Sequence, residues 1–239
     1  MSNIPKVINY CWFGGNPLPE KAKSCIESWK KYLPDYQIIE WNEDNFDVNS
    51  IPYTKEAAEK GKWAFVSDYA RFYILYHYGG IYVDSDVEIL KPLDTFRHHN
   101  MFTGFETIDR VAPGLILGAV KKSALIKELM DSYTNRRFIN SDGSINDVTV
   151  VSYTTNLLVN KGLKLNGEFQ TIDGLAIYPT RYFSPKSLVD GKLVITEDTH
   201  SIHHYAGSWM SYKARLKRYI YLVIASNNYI FKLYSKYFK

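Results

Sequence analysis

The chain has 239 residues, 46% of them apolar, and a formal net charge of only +4, enough to bury a sizeable core in one α/β domain with an appendage. The charge is uneven: residues 211–239 hold seven Lys/Arg and no Asp or Glu, and removing those seven from the net +4 leaves −3 for the rest. That distribution argues against a nucleic-acid binder and for a local anionic partner of one segment. With two cysteines, Cys11 and Cys25, and no Cys/His cluster, neither a disulfide scaffold nor a zinc site is expected. The N-terminus lacks a basic stretch followed by an apolar one, and no uncharged apolar run approaches the about 20 residues of a membrane span. A chain of the reducing cytosol, neither secreted nor membrane-spanning, is the expectation.

Lys6 to Phe13 reads as a buried first strand, stopped by Gly14-Gly15-Asn16-Pro17. Pro19 to Tyr32 has helical spacing through Ala22, Ile26 and Trp29, and Tyr36 to Trp41 reads as a second strand. This strand–helix–strand order predicts a parallel sheet. Tyr53 to Lys60 suits a short helix and Trp63 to Tyr78 a longer one, capped by Gly79, with Phe65, Tyr69, Phe72, Tyr73 and Tyr76 on its apolar face. Ile81-Tyr82-Val83 is then a β-rich run that ends in Asp84-Ser85-Asp86. Strands are further expected at 101–105, 114–120, 175–178 and 200–205, and helices at 124–133 and 150–160. The architecture predicted is a mixed three-layer α/β sandwich with its ligand crevice beyond the strand ends.

If Asp84 and Asp86 lie on a strand, both carboxylates point to one side of the crevice. They would repel unless a hard cation such as Mn²⁺ or Mg²⁺ joined them, leaving positions open for substrate phosphates. The other reading is a solvated acidic turn. Asp68 and Arg71, three apart, share one face of the preceding helix and form either a ligand-binding pair or a surface ion pair.

The runs Trp63-Ala-Phe-Val-Ser-Asp-Tyr-Ala-Arg71 and Tyr78-Gly-Gly-Ile-Tyr-Val-Asp-Ser-Asp86 closely resemble glycosyltransferase family 32, the sugar transferases of bacterial capsules and surface polysaccharides. The resemblance extends to Ile4-Pro-Lys-Val-Ile-Asn-Tyr-Cys-Trp-Phe-Gly-Gly15 and His203-His-Tyr-Ala-Gly-Ser-Trp209. It implies a GT-A catalytic domain over residues 1–210, a UDP-sugar donor, a Mn²⁺ or Mg²⁺ ion and retention of anomeric configuration. By the same resemblance Trp12 stacks on uracil with Asn9 and Tyr10 beside it, Asp68 and Arg71 hold the donor sugar's hydroxyls, and Tyr82 and Asp84 meet ribose and sugar. Asp86, His204 and Ser208 become the metal ligands and Trp209 a phosphate contact. Asn146 or Asp147, in a central loop that matches the family pattern poorly, is a further candidate sugar contact. His204 is preferred to His203, one of which must face away if the strand alternates. No carboxylate fits a nucleophile, so front-face substitution is expected, with the departing diphosphate helping to deprotonate the acceptor.

Residues 211–239 add eight aromatics to their seven cations, and read either as an interfacial anchor or as helices packed on the domain. An anchor would place the enzyme peripherally at the inner face of a bacterial membrane, beside lipid-linked glycan acceptors. Two other functions fit parts of the pattern. A haloacid-dehalogenase-like phosphatase wants Thr or Val five residues into the motif, where Glu88 stands, and a non-catalytic sugar-binding module has no need of Asp68, Arg71, Asp84 and Asp86 together.

Overall fold

In a computed structural model, residues 3–207 are described. Ser208, Trp209 and the basic segment 211–239 lie outside them.

Strand β1 (Val7–Cys11) is followed by α1 (Glu20–Tyr32), β2 (Gln37–Trp41), α2 (Pro52–Glu59), α3 (Trp63–Tyr78) and β3 (Gly80–Tyr82). The chain continues through β4 (Val87–Ile89), β5 (Met101–Thr107), β6 (Arg110–Val111), β7 (Leu117–Ala119), α4 (Ala124–Asp131) and α5 (Val150–Asn160). It ends in β8 (Gln170–Ile172), β9 (Leu175–Tyr178), α6 (Thr180–Phe183) and β10 (Ser201–His203). The main sheet has the order β2-β1-β3-β7-β5-β9-β8 with β6 beside β5, and β10 pairs with β4 in a separate two-stranded sheet. β1 is parallel to β2 and β3, β7 is antiparallel to β3 and β5, and β5 is parallel to β9. Consequently β1, β2, β3, β5 and β9 all point their carboxyl ends toward one edge. The expected fold class is therefore what the structure shows: a Rossmann-like mixed sheet flanked by helices, with the acidic triplet beyond the end of a central strand.

Each face of the sheet carries its own core. On one side Phe72, Leu75, Tyr53, Tyr133, Phe138 and Leu158 pack from α2 to α5, and on the other Trp29, Ile26, Phe96 and Phe183 pack around α1 and α6. Trp29 is fully buried and donates its indole N–H to Val87 O at 2.7 Å, while Ser28 Oγ accepts from Ile89 N at 2.9 Å. Helix α1 thus fastens β4, the strand that leaves the acidic triplet. Gly79 caps α3 at φ +71°, and Gly80 follows at φ +99° with its α-carbon so close to Val7 O and Asn9 Nδ2 that a β-carbon would stand 2.8 and 2.9 Å from them. The pair lets the chain reverse directly from α3 into the central strand. Among the described residues no helix is long and apolar enough to cross a membrane.

Candidate active site

The acidic triplet is not part of a strand. β3 ends at Tyr82, and Ser85 and Asp86 form a turn closed by Val87 N donating to Asp84 O at 3.0 Å. Asp84 and Asp86 converge because the chain folds back on itself, a tighter arrangement than strand alternation provides.

Two groups of charged side chains meet at this turn. On the side of α3, Arg71 Nη2 bonds Asp68 Oδ1 at 3.1 Å, and Arg71 Nη1 lies 3.5 Å from Asp84 Oδ1. The guanidinium sits over the Tyr82 ring, 4.8 Å from its centroid, and the Tyr82 hydroxyl donates to Asp84 Oδ1 at 3.1 Å. Asp68 and Arg71 are both buried, which excludes the surface ion pair. Burial pushes the Asp68 carboxyl up to about 6, against the opposing pull of Arg71.

On the other side, β10 runs antiparallel to β4 with His203 opposite Val87. His203 Nε2 lies 3.1 Å from Asp86 Oδ1 and 4.0 Å from Asp84 Oδ2, and Ala206 N donates to Asp86 Oδ2 at 2.7 Å. Burial raises the Asp86 pKa, but the His203 charge and hydrogen bond and the Ala206 N–H outweigh it and hold the carboxyl down to about 2.

Asp84, Asp86 and His203 can each offer one ligand atom within 4.8 Å of the others. Two carboxylate oxygens and an imidazole nitrogen form a donor set that suits Mn²⁺. Among the described residues, His203 Nδ1 and Arg71 Nη1 are buried without hydrogen-bond partners. The residues present fit a divalent cation.

Several expected contacts are relocated. His204 faces away from the cluster, its Nε2 2.7 Å from Glu88 Oε2, so the histidine brought to the carboxylates is His203. Asn9 is fully buried, accepting from Trp41 Nε1 at 2.9 Å and donating to Gly79 O at 3.3 Å. Tyr10 is buried edge-on against Trp29 and bonds Glu40 at 2.6 Å. These two side chains belong to the frame, and neither offers a ligand surface. Tyr82 is likewise buried, with its hydroxyl committed to Asp84. Asn146 closes its own loop by donating to Arg137 O at 3.3 Å, and Asp147 beside it is exposed. Ser208 and Trp209 fall outside the described residues.

Trp12 lies at the carboxyl end of β1 in an open groove of about 570 Å³, with Gly14, Asn42, Glu43 and Trp63 among its walls. Gly14 is pressed against the Trp63 indole, where a β-carbon would stand 2.3 Å from Nε1. Glu43 accepts the Gly14 N–H at 2.6 Å. Residue 114 escapes sequence reasoning altogether: its carbonyl accepts the Asp84 N–H at 2.9 Å, and its missing side chain leaves the space that Asp84 and Arg71 occupy.

Residues 19–103, from α1 to the start of β5, match a family model described as a glycosyltransferase sugar-binding region containing a DXD motif. This segment belongs to that glycosyltransferase family. The resemblance to family 32 is thereby borne out. Inositol phosphoceramide mannosyltransferase 3 of Schizosaccharomyces pombe is 34% identical over 113 residues, covering 40% of this chain and 28% of that protein. Mannosyl phosphorylinositol ceramide synthase SUR1 of Saccharomyces cerevisiae is 30% identical over 95 residues, covering 38% of this chain and 25% of that protein. The matches span less than a third of the length of these curated relatives. Among solved structures, a glycosyltransferase involved in glycosylation of the major capsid of PBCV-1 aligns with a TM-score of 0.47 and 12% identity, over 92% of this chain and 100% of that one. The galactosyltransferase LgtC, in complex with donor and acceptor sugar analogues, aligns with a TM-score of 0.45 and 12% identity, over 92% and 95% of the two chains.

Proposed function

We propose that this glycosyltransferase moves a hexose or N-acetylhexosamine from a UDP-sugar to a glycan hydroxyl, with retention of anomeric configuration. The observation that carries this reading is the convergence of Asp84, Asp86 and His203 beside the buried Asp68–Arg71 pair, at the strand ends of a chain whose residues 19–103 match a sugar-binding glycosyltransferase model. Asp84, Asp86 and His203 would hold Mn²⁺ or Mg²⁺, with Ser208 beyond the described residues available to join them. The ion, when bound, neutralises charge developing on the leaving diphosphate.

The protein's own groups do the rest. Trp12, with Trp63 across the groove, offers aromatic surface for the base. Asp68 accepts from sugar hydroxyls and Arg71 donates to them, both held rigid by burial so that little reorganisation accompanies the reaction. The acceptor hydroxyl then attacks the anomeric carbon on the face from which the diphosphate departs. Its proton passes to a diphosphate oxygen, the sugar–phosphate bond breaks and the glycosidic bond forms.

The acceptor in this reading is a surface polysaccharide assembled on a lipid carrier, with the basic aromatic segment 211–239 holding the enzyme against the inner face of the cell membrane. The relatives named mannosyltransferases make mannose one of the hexoses to test. The deciding experiment is a screen of UDP-sugars and GDP-mannose for Mn²⁺-dependent hydrolysis by the full-length protein. Hydrolysis that EDTA and Asp86→Ala both abolish supports the reading. Failure to consume any sugar nucleotide, or hydrolysis indifferent to both, refutes it.

A further inference from the structure

Helix α2 carries a buried carboxylate that the chemistry above does not use. Glu56 has a side chain only 10% exposed, and it pairs with the exposed Arg137 guanidinium. One of its oxygens, Oε2, accepts two successive backbone N–H groups, from Phe138 at 2.9 Å and Ile139 at 3.1 Å. Burial alone would raise the Glu56 pKa, but the Ile139 N–H, Arg137 and the Phe138 N–H together lower it. Tyr53 and Phe65, from α2 and α3, close on the Phe138 ring with centroids 5.8 and 4.9 Å away.

The segment fastened in this way leads straight to the sugar side of the site. Ile139 bridges Ile145, and Asn146 N donates back to Phe138 O at 2.8 Å, so residues 138–146 form a closed loop. Thr149 then caps α5, whose first residue, Val150, has its backbone N–H near enough to Asp68 to act against the rise of that carboxyl's pKa. Two carboxylates on neighbouring helices therefore bracket one segment, Glu56 bonded to its beginning and Asp68 standing beside its end. Asp147 precedes Val150 by three residues, which places it within about 11 Å of that residue whatever the backbone does.

We propose that Glu56 is a positioning residue for donor-sugar recognition: it pins residues 137–149 to α2 and α3, and so sets the start of α5 beside Asp68, with Asn146 and Asp147 on the approach to it. The pinning is a statement about the fold alone, and its consequence for the donor rests on the glycosyltransferase reading.

Hydrogen exchange on the full-length protein tests the first part without any ligand. Glu56→Ala removes the acceptor of both backbone N–H groups and the Arg137 partner, and the amides of 138–149 are expected to exchange at least about ten-fold faster, with β1, β3 and β5 unchanged. Glu56→Gln, which keeps one acceptor oxygen, and Arg137→Ala, which spares the backbone bonds, should each fall between wild type and Glu56→Ala. They keep the test decisive if Glu56→Ala does not fold. Kinetics test the second part, with UDP-galactose, UDP-glucose and GDP-mannose as donors and UDP as inhibitor. KM for the consumed donor should rise about ten-fold in Glu56→Gln while UDP inhibits as before. Unchanged exchange across 138–149 overturns the pinning. Equal losses for donor and UDP overturn the positioning role, since a general structural defect behaves that way. A wild-type protein that consumes no sugar nucleotide refutes the glycosyltransferase reading instead, and the exchange result stands apart from it.

Discussion

Replacing Gly114 by alanine should disable the site while leaving the fold nearly intact. A β-carbon there would stand 2.2 Å from Asp84 Oδ2 and 2.9 Å from both Asp84 Cγ and Arg71 Nη1. Ordinary carbon–oxygen contact begins near about 3.3 Å, so the Asp84 carboxylate must retreat by about 1 Å. The backbone gives little relief, because Asp84 N is bonded to Gly114 O at 2.9 Å, and Arg71 is buried. The Asp84 side chain is 31% exposed and can swing toward solvent, which keeps the stability cost at the low end of overpacking, about 1 kcal/mol, or a Tm loss of about 2–4 °C. A misplacement of about 1 Å in a reacting assembly costs about 100-fold in rate. Mn²⁺-dependent donor hydrolysis, Mn²⁺ affinity by electron paramagnetic resonance and a thermal melt distinguish the two effects. Wild-type turnover and Mn²⁺ affinity in Gly114→Ala would refute the packing argument, and a Tm loss beyond about 10 °C would show that the residue supports the fold instead.

His203→Ala should weaken Mn²⁺ binding by about 10-fold or more, whereas His204→Ala, which removes a partner of Glu88, should leave it within about two-fold; titration of both proteins with Mn²⁺ decides. Arg71→Ala leaves the carboxylates of Asp68 and Asp84 without their shared cation and should cost about 3–5 kcal/mol in urea unfolding. In EDTA, the Asp86 carboxyl, held down to about 2 against an ordinary 3.8, contributes stability that is complete above pH 4 and lost as the pH falls from about 4 to 2. The loss should be about 2 kcal/mol, and Asp86→Asn should flatten that part of the stability–pH curve.

Most elements were legible because their signals are local. Gly79 after an apolar helix, the Gly14-Gly15 stop and the Trp63–Tyr78 periodicity place β1, α3 and β3 where the chain puts them. Three of the short strands were not legible. β4, β6 and β8 have three residues or fewer, and β4 exists because β10, more than a hundred residues on, pairs with it. The same distance hides the choice between His203 and His204. β10 ends at His203 and Tyr205 adopts φ +54°, so alternation stops where it was needed to decide. Asn9 looks like a ligand-facing amide until Trp41, 32 residues later, supplies its partner. Nothing in the neighbouring sequence of Glu56 or Gly114 announces their roles, since each acts on a segment contributed from elsewhere in the chain.

Charge balance at the turn leads to a last prediction. Three carboxylates, Asp68, Asp84 and Asp86, face one permanent cation, Arg71, and an imidazole that is positive only when protonated. With His203 neutral the group carries −2, the charge that one divalent ion cancels. Binding therefore relieves repulsion among carboxylates that are only partly screened by water, and only the folded chain offers the three ligands together. Mn²⁺ at about 100 times its Kd should then stabilise the protein by about 2.7 kcal/mol. Asp86 contributes to the site with Asp84 and His203 around it, whereas Asp84 is also tied to Arg71 and Tyr82. Asp86→Asn should consequently abolish the Mn²⁺-induced rise in Tm, and Asp84→Asn should only reduce it. Equal rises in wild type and Asp86→Asn would place the ion elsewhere.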